Sequence, residues 1–256
     1  MIRTMVMHQI DMNNIAMMER WYYKLHGPEI ARRYGPWLQR LESWRPVEIP
    51  EYAKGFGHRN WLFAQAYWRE FPESGPRGEL SFSSPKAGAY AYSCFVPPQA
   101  TEDFKGHQFS PEEKEVLRWV QFIRYPKDVD KAAADEWYVS TCAKEACAQP
   151  GMYRFFSFKT ISHAGGVPGT WKPDETKRTE KRTGPLDHQW DRVTEMWYET
   201  FEDWKRSMID DPPACTIPEW AERSTYPFVT PDMNFISTFL LERPAYDWLD
   251  SRHVFL

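Results

Sequence analysis

The chain lacks the marks of several large function classes. Its 256 residues hold only four cysteines, Cys94, Cys142, Cys147 and Cys215, and no Cys-x-x-Cys pair. That spacing matches no zinc pattern and predicts buried free thiols in a reducing, cytoplasmic setting. No two histidines lie three or four apart and no His-Glu-x-x-His occurs, so no metal site is expected. Gly-x-Gly-x-x-Gly, P-loop and Gly-x-Ser-x-Gly patterns are also missing, which argues against nucleotide cofactors and hydrolase elbows. No apolar run approaches the length of a membrane span. The opening stretch from Met1 to His8 lacks the apolar core of a secretory signal. Basic blocks are absent too: 32 basic residues against 36 acidic ones leave a net charge of −4, which speaks against nucleic-acid binding by charge.

Aromatic residues are plentiful. Phe, Tyr and Trp make up 16% of the chain, too many for a disordered protein, and the length is enough to bury a sizeable core.

The most informative feature is internal similarity. Trp21-Tyr22 through Gly35 aligns without a gap on Trp137-Tyr138 through Gly151, pairing Glu29 with Glu145. Further on, Tyr67-Trp68 faces Trp197-Tyr198, Phe71 faces Phe201, and Ser93-Cys94-Phe95 faces Ser237-Thr238-Phe239. The order is kept while the offset grows, as in a duplication with loop insertions.

Local patterns agree. Strands are expected at 2–10, 37–47, 61–68 and 90–96, then at 116–125, 152–161, 191–197 and 234–241. Asp11, Asn13 and Asn14 are candidate caps for a helix carrying Ile15, Met18, Trp21, Tyr22 and Leu25, which should break at Gly27-Pro28. The second half should carry helices over 128–149 and 198–208, and the first a short helical or turn segment after Trp68. Two ferredoxin-like β-α-β-β-α-β units fit, residues 1–105 and 106–256. A long loop, 164–189, is a candidate lid, and its charge run reads as solvated surface. A proline-rich segment, 210–232, should wrap over the barrel. The tail from Pro244, with Tyr246, Trp248 and Phe255, is aromatic enough to pack on something.

The stretch Met18-Glu19-Arg20-Trp21-Tyr22-Tyr23-Lys24-Leu25-His26-Gly27-Pro28-Glu29-Ile30-Ala31 resembles the first helix of the EthD-like group of dimeric α+β barrel proteins. The likeness is most specific over about residues 15–45. The second half departs from the motif, with Cys142-Ala143-Lys144 standing where His26-Gly27-Pro28 stands in the first, so one site is expected rather than two. The resemblance implies an α+β fold in which two four-stranded sheets pack as a barrel, here within one chain. It also implies an activity among cofactor-free isomerases, lyases, cyclases and small oxygenases on aromatic molecules, with haem enzymes among more distant relatives.

His26, placed at a helix C-terminus, would be favoured as a protonated acid or anion binder, and Tyr22 shares its face. Tyr23 lies three residues before it. His8, in the first strand, shares a face with Thr4, Val6 and Ile10. The His58-Arg59 pair could hold a carboxylate or phenolate. Arg40 and Arg45 have odd spacing, so only one of them can line a pocket. Tyr153, Arg154 and His163 are the corresponding candidates of the second half.

The expected function is a cofactor-independent lyase or isomerase on a small, phenolic aromatic compound, by decarboxylation, dehydration or rearrangement. His26 or His8 would move the proton, Tyr22 or Tyr23 would orient or donate, and Arg59 or Arg40 would anchor an anionic group. The alternatives are an oxygenase, cofactor-free or haem-dependent, and a ligand-binding protein without chemistry. A working histidine should titrate between about pH 5 and 8. Monomer and homodimer both remain open.

Overall fold

A computed structural model describes residues 1–56, 59–70, 90–106, 116–126, 129–161, 190–214, 216–221 and 234–250. The segment after Trp68, the 164–189 loop, most of the proline-rich segment, Phe255, His58, His163 and Cys215 lie outside them.

In the first half, β1 (Ile2–Gln9) leads through a short turn into α1 (Ile15–Trp21), a π-turn (Tyr22–His26) and α2 (Gly27–Tyr34). Then come β2 (Leu38–Trp44), β3 (Leu62–Trp68) and β4 (Tyr90–Val96). A two-residue strand, β5 (Glu102–Asp103), precedes the second half. There β6 (Leu117–Arg124) is followed by α3 (Lys131–Trp137), a π-turn (Tyr138–Cys142) and α4 (Ala143–Cys147). Next are β7 (Met152–Lys159), β8 (Arg192–Tyr198), α5 (Phe201–Lys205) with a π-turn to Asp210, β9 (Asn234–Leu241) and β10 (Tyr246–Asp247).

This is an α+β fold of two antiparallel sheets, ordered β10-β2-β3-β1-β4 and β5-β7-β8-β6-β9. Each keeps the ferredoxin-like order and adds one short edge strand. The registers correspond: Arg3 lies opposite Tyr67 and Val96, and Arg118 opposite Trp197 and Leu240. β2 and β7 shift register at the same place, between Leu38 and Arg40 and between Met152 and Arg154.

The edges are sealed crosswise. β10, which follows β9, pairs with β2, while β5 pairs with β7. The Val47 amide donates to the Phe239 carbonyl (3.0 Å) and Ile161 to Phe95 (2.8 Å), so each outer strand meets chain from the other half. Unpaired edges invite intermolecular pairing, and this lacing covers part of each.

Alternation gives each sheet two faces. Met5, Met7 and Phe63 meet Val120, Phe122 and Phe158 between the sheets. Two ladders of guanidinium on aromatic rings cross this layer: Phe158, Arg3, Tyr67, Arg40 and Trp44, Arg118, Trp197, Arg154, with 5.0–5.6 Å from cation to ring centroid. Between them Glu195 accepts from Arg3 Nη2 (2.6 Å) and Arg118 Nη2 (2.9 Å). Burial alone would raise its pKa, but the Arg118 and Arg3 charges hold the carboxyl down to about 2. Gln65 occupies the matching place in the first sheet and accepts from Arg3 Nε.

Three expectations need correction. The first helix does not break at Gly27-Pro28. The Gly27 amide donates to the Tyr22 carbonyl, five residues back, and Pro28 follows this π-turn in the opening turn of α2. The second half makes the same π-turn, with Ala143 donating to Tyr138, although Lys144 replaces the proline. The helix expected over 128–149 starts later, at Lys131, where the Asp130 side chain caps the amides of Ala132 and Ala133. The described part of the proline-rich segment lies on the helices rather than on the barrel: the Trp220 ring abuts Trp137, and Trp137 Nε1 donates to the Thr216 carbonyl.

Candidate functional site

The layer between α1–α2 and the first sheet gathers four candidates. Tyr22, buried, is its hub. Its ring lies 6.1 Å from His8, 5.7 Å from His26, 5.1 Å from Tyr23 and 5.9 Å from both Trp61 and Trp248, centroid to centroid. His26 stacks on Trp21 at 4.5 Å, and His8 meets the Trp61 edge at 5.8 Å. Tyr22 and His26 share a helix face by their spacing and bound the π-turn, and such turns recur at functional sites.

The expected protonation of His26 is overturned. The helix runs on to Tyr34, so His26 has no free carbonyl terminus beside it. Burial pulls its pKa down to about 4, against a partial lift from Glu29. His8 falls to about 3 through burial and the neighbouring His26. Both imidazoles are therefore uncharged at neutral pH and do not titrate between pH 5 and 8. The Nδ1 of His26 is buried without a hydrogen-bond partner, and buried polar atoms rarely stay so. Burial raises the pKa of Tyr22, and that of Tyr23 to about 12, so both phenols keep their protons.

Towards the other end of the layer the floor is made of small side chains. Thr4, Val6 and Ala66 are half-buried and Ala64 is 9% exposed. Trp68 closes that end, donating Nε1 to Thr4 Oγ1 (2.8 Å), with Tyr34 against its ring.

The proposed anchors do not join this cluster. Arg59 donates to Gln9 Oε1 (2.8 Å), and Gln9 follows His8 on the strand and so points to the opposite face. Arg40 faces the inter-sheet layer, paired with Glu42 at 3.2 Å. Tyr153 donates to Glu199 (2.6 Å), and Arg154 lies on the Trp197 ring, both on the second sheet. Of the odd-spaced pair, Arg45 is the one beside the site. It lies 5.0 Å above the Tyr23 ring and binds Glu19 Oε2 (2.6 Å), while Glu19 Oε1 accepts from Trp61 Nε1.

Sequence reasoning missed Ser43 and did not place Trp248. Ser43 Oγ lies 2.9 Å from the Tyr22 hydroxyl and accepts from Trp248 Nε1 at 2.7 Å. The only signal was the aromatic tail.

Among the described residues no group of three or more His, Cys, Asp or Glu is placed to hold a metal. No helix among the described residues is long and apolar enough to cross a membrane. Cys94, Cys142 and Cys147 are free thiols.

Residues 1–84, the stretch that holds His8, Tyr22, Tyr23 and His26, match the family described as chalcone isomerase N-terminal domain. No curated protein matches the chain. Among solved structures, a putative monooxygenase from Lactobacillus acidophilus NCFM is similar at 10% identity over 94% of both chains, with a TM-score of 0.34. Two variants of the chlorite dismutase from Candidatus Nitrospira defluvii are similar at 9% identity over 93% of this chain and 90% of theirs, with TM-scores of 0.40. Likenesses at this level say nothing about reaction or ligand.

Proposed function

We propose that the protein is a cofactor-independent isomerase acting by proton transfer on a phenolic, chalcone-type compound bound between α1–α2 and the first sheet, with a lyase reaction on a related phenol as the neighbouring case. The observation that carries this is one cluster: two uncharged imidazoles, one with an unpartnered buried nitrogen, around a protonated phenol beside a floor of small side chains. The match of this stretch to the chalcone isomerase N-terminal domain supports the substrate class.

The chemistry balances without a co-reactant. His26 takes the proton of the substrate's phenolic hydroxyl. The phenolate oxygen bonds to the β-carbon of the enone, the C=C pair moves onto the carbonyl oxygen, and the α-carbon regains a proton from the imidazolium. Tyr22 donates to the carbonyl oxygen as charge develops there, with His8 and Tyr23 completing the polar wall. The first transfer is uphill, since an imidazole near 4 faces a phenol near 10. Six units amount to about 8 kcal/mol, inside the roughly 16 kcal/mol barrier of a turnover near 10 per second.

The test is conversion of 2′-hydroxychalcone, followed as the conjugated enone absorption disappears. Wild type should turn it over, and His26→Asn should slow it by about 10²–10⁴-fold, while Cys142→Ala at the matching position of the second half leaves the rate unchanged. Binding without conversion would make this a carrier. A Soret band in the purified protein would move the reading to haem chemistry.

The same reading treats the chain as two tandem EthD-like repeats, residues 1–105 and 106–256, supported by the shared strand order, register shift and π-turn. With both sheets in one chain, a monomer completes the barrel, and a homodimer is not required. The free thiols accord with a cytoplasmic location.

A further inference from the structure

We propose that Trp248, brought from beyond β9, is a positioning residue of the first-half site: it directs the Tyr22 proton towards the ligand and sets the end wall of the binding space. This rests on the reading of that site as a proton-transfer centre.

The strap that carries it is well fixed. The Ala245 amide donates to the Ser43 carbonyl (2.8 Å), β10 pairs with Ser43 and Glu42, and the Trp248 amide donates to the Leu41 carbonyl (2.8 Å). The indole then lies near parallel to Tyr246 (5.3 Å) and Tyr23 (5.8 Å) and edge-on to Tyr22. It occupies the space that a side chain at position 27 would need. A Cβ on Gly27 would fall 2.7 Å from the Trp248 ring. The glycine of the helix motif is thus matched to a tryptophan more than two hundred residues away.

The hydrogen bonds have a direction. An indole N–H can only donate, so Trp248 Nε1 fills one lone pair of Ser43 Oγ. Ser43 is fully buried, and its hydroxyl proton needs an acceptor. The Tyr22 oxygen, 2.9 Å away, is the acceptor in reach. With Ser43 donating to Tyr22, the phenol's own proton turns away from Ser43 and is free for another acceptor. The chain Trp248 N–H to Ser43 O–H to Tyr22 O–H makes Tyr22 a donor to a bound oxyanion, and each bond polarises the next.

Trp248→Phe keeps the ring and loses the N–H. Ser43 then accepts from Tyr22, the phenol proton turns inward, and kcat on 2′-hydroxychalcone should fall about tenfold or more with KM little changed. The double variant Trp248→Phe with Ser43→Ala removes the competing acceptor, frees the Tyr22 proton again and should recover most of that loss. Gly27→Ala displaces the indole and its N–H together, so it should raise KM and lower kcat. Wild-type kinetics in Trp248→Phe, or a double variant as slow as the single one, would overturn the proposal. A merely structural Trp248 would change melting temperature without this split. Binding of 4-nitrophenol separates the two readings. If wild type favours the bound nitrophenolate and Trp248→Phe does not, while 2′-hydroxychalcone stays unconverted, the donor chain stands and the isomerase reading falls.

Discussion

In the second half, the layer between helices and sheet is full. Trp119, Gln121, Thr194 and Met196 are completely buried there, with Phe155 and Trp204 packed beside them. By strand register these four correspond to Thr4, Val6, Ala64 and Ala66 of the first half, which are smaller and, Ala64 aside, half-buried. His8 corresponds to Ile123. Leu62 corresponds to Arg192, which is 1% exposed and ties Asp135 (2.7 Å), Glu102 (2.6 Å) and Ser157 together. One backbone plan thus supports two outcomes. Large side chains and an ion pair fill one layer, while the other carries small side chains beside two histidines. The filled layer stabilises the molecule, at about 1.5–3 kcal/mol for each large apolar side chain buried.

The largest expected effect tests what joins the halves. Glu195→Gln leaves Arg3 and Arg118 buried without a carboxylate and should cost about 3–5 kcal/mol in chemical denaturation. Gln65→Glu, at the matching position, keeps an acceptor for Arg3 and removes no carboxylate, and should cost less. Equal losses would show that Glu195 is not the hub. Next comes an exchange of fillings. Met196→Ala should destabilise by about 2–5 kcal/mol through the cavity it leaves. Ala66→Met should leave stability within about 1 kcal/mol but weaken binding of 2′-hydroxychalcone at least tenfold. A destabilisation of Ala66→Met of about 1–3 kcal/mol, the mark of overpacking, would mean that the space is not there.

The smallest effect is in pH. The folded pKa values of His8 and His26, about 3 and about 4, lie below the ordinary 6.5. Between those values the unfolded chain binds more protons, so stability is full above 6.5 and is lost as pH falls towards 4. For His26 the loss is on the order of 3 kcal/mol. Denaturation curves of His26→Phe at pH 7 and pH 5 should show a shallower loss than wild type. Cys142→Ala should keep the wild-type slope. Glu195, held near 2, adds its own loss only below about 4.5.

The strands were legible because alternation and β-branched content depend on neighbours in sequence. All eight sheet-forming segments fall within a few residues of their expected bounds. β5 and β10 were not legible: at two residues each they have no period, and they exist only because an edge of the other half receives them. The Gly27-Pro28 break failed for a related reason. A proline signals a missing donor, and whether the chain kinks or absorbs it in a π-turn depends on the packing of Tyr22 and His26 against the sheet. Tyr22 and His8 could be given faces from helix and strand spacing, whereas His26, with Tyr23 beside it, stood out through the resemblance of its helix motif. Arg40 was misplaced because a reading uncertain by one residue sends a strand side chain to the wrong face, and Arg59 because it lies in the loop before β3, where no period fixes a face. Ser43 and Trp248 were out of reach, since their meeting joins positions 205 residues apart.

The crosswise lacing has a consequence for how the molecule comes into being. A ribosome makes the first sheet early, yet the outer edge of β2 has no partner until residues 246 and 247 emerge, and the outer edge of β4 waits for Ile161. The nascent first half holds its histidines and Tyr22 with an open flank throughout synthesis of the second. Trp248 arrives only after β9, so the site would be completed only once both sheets have been made.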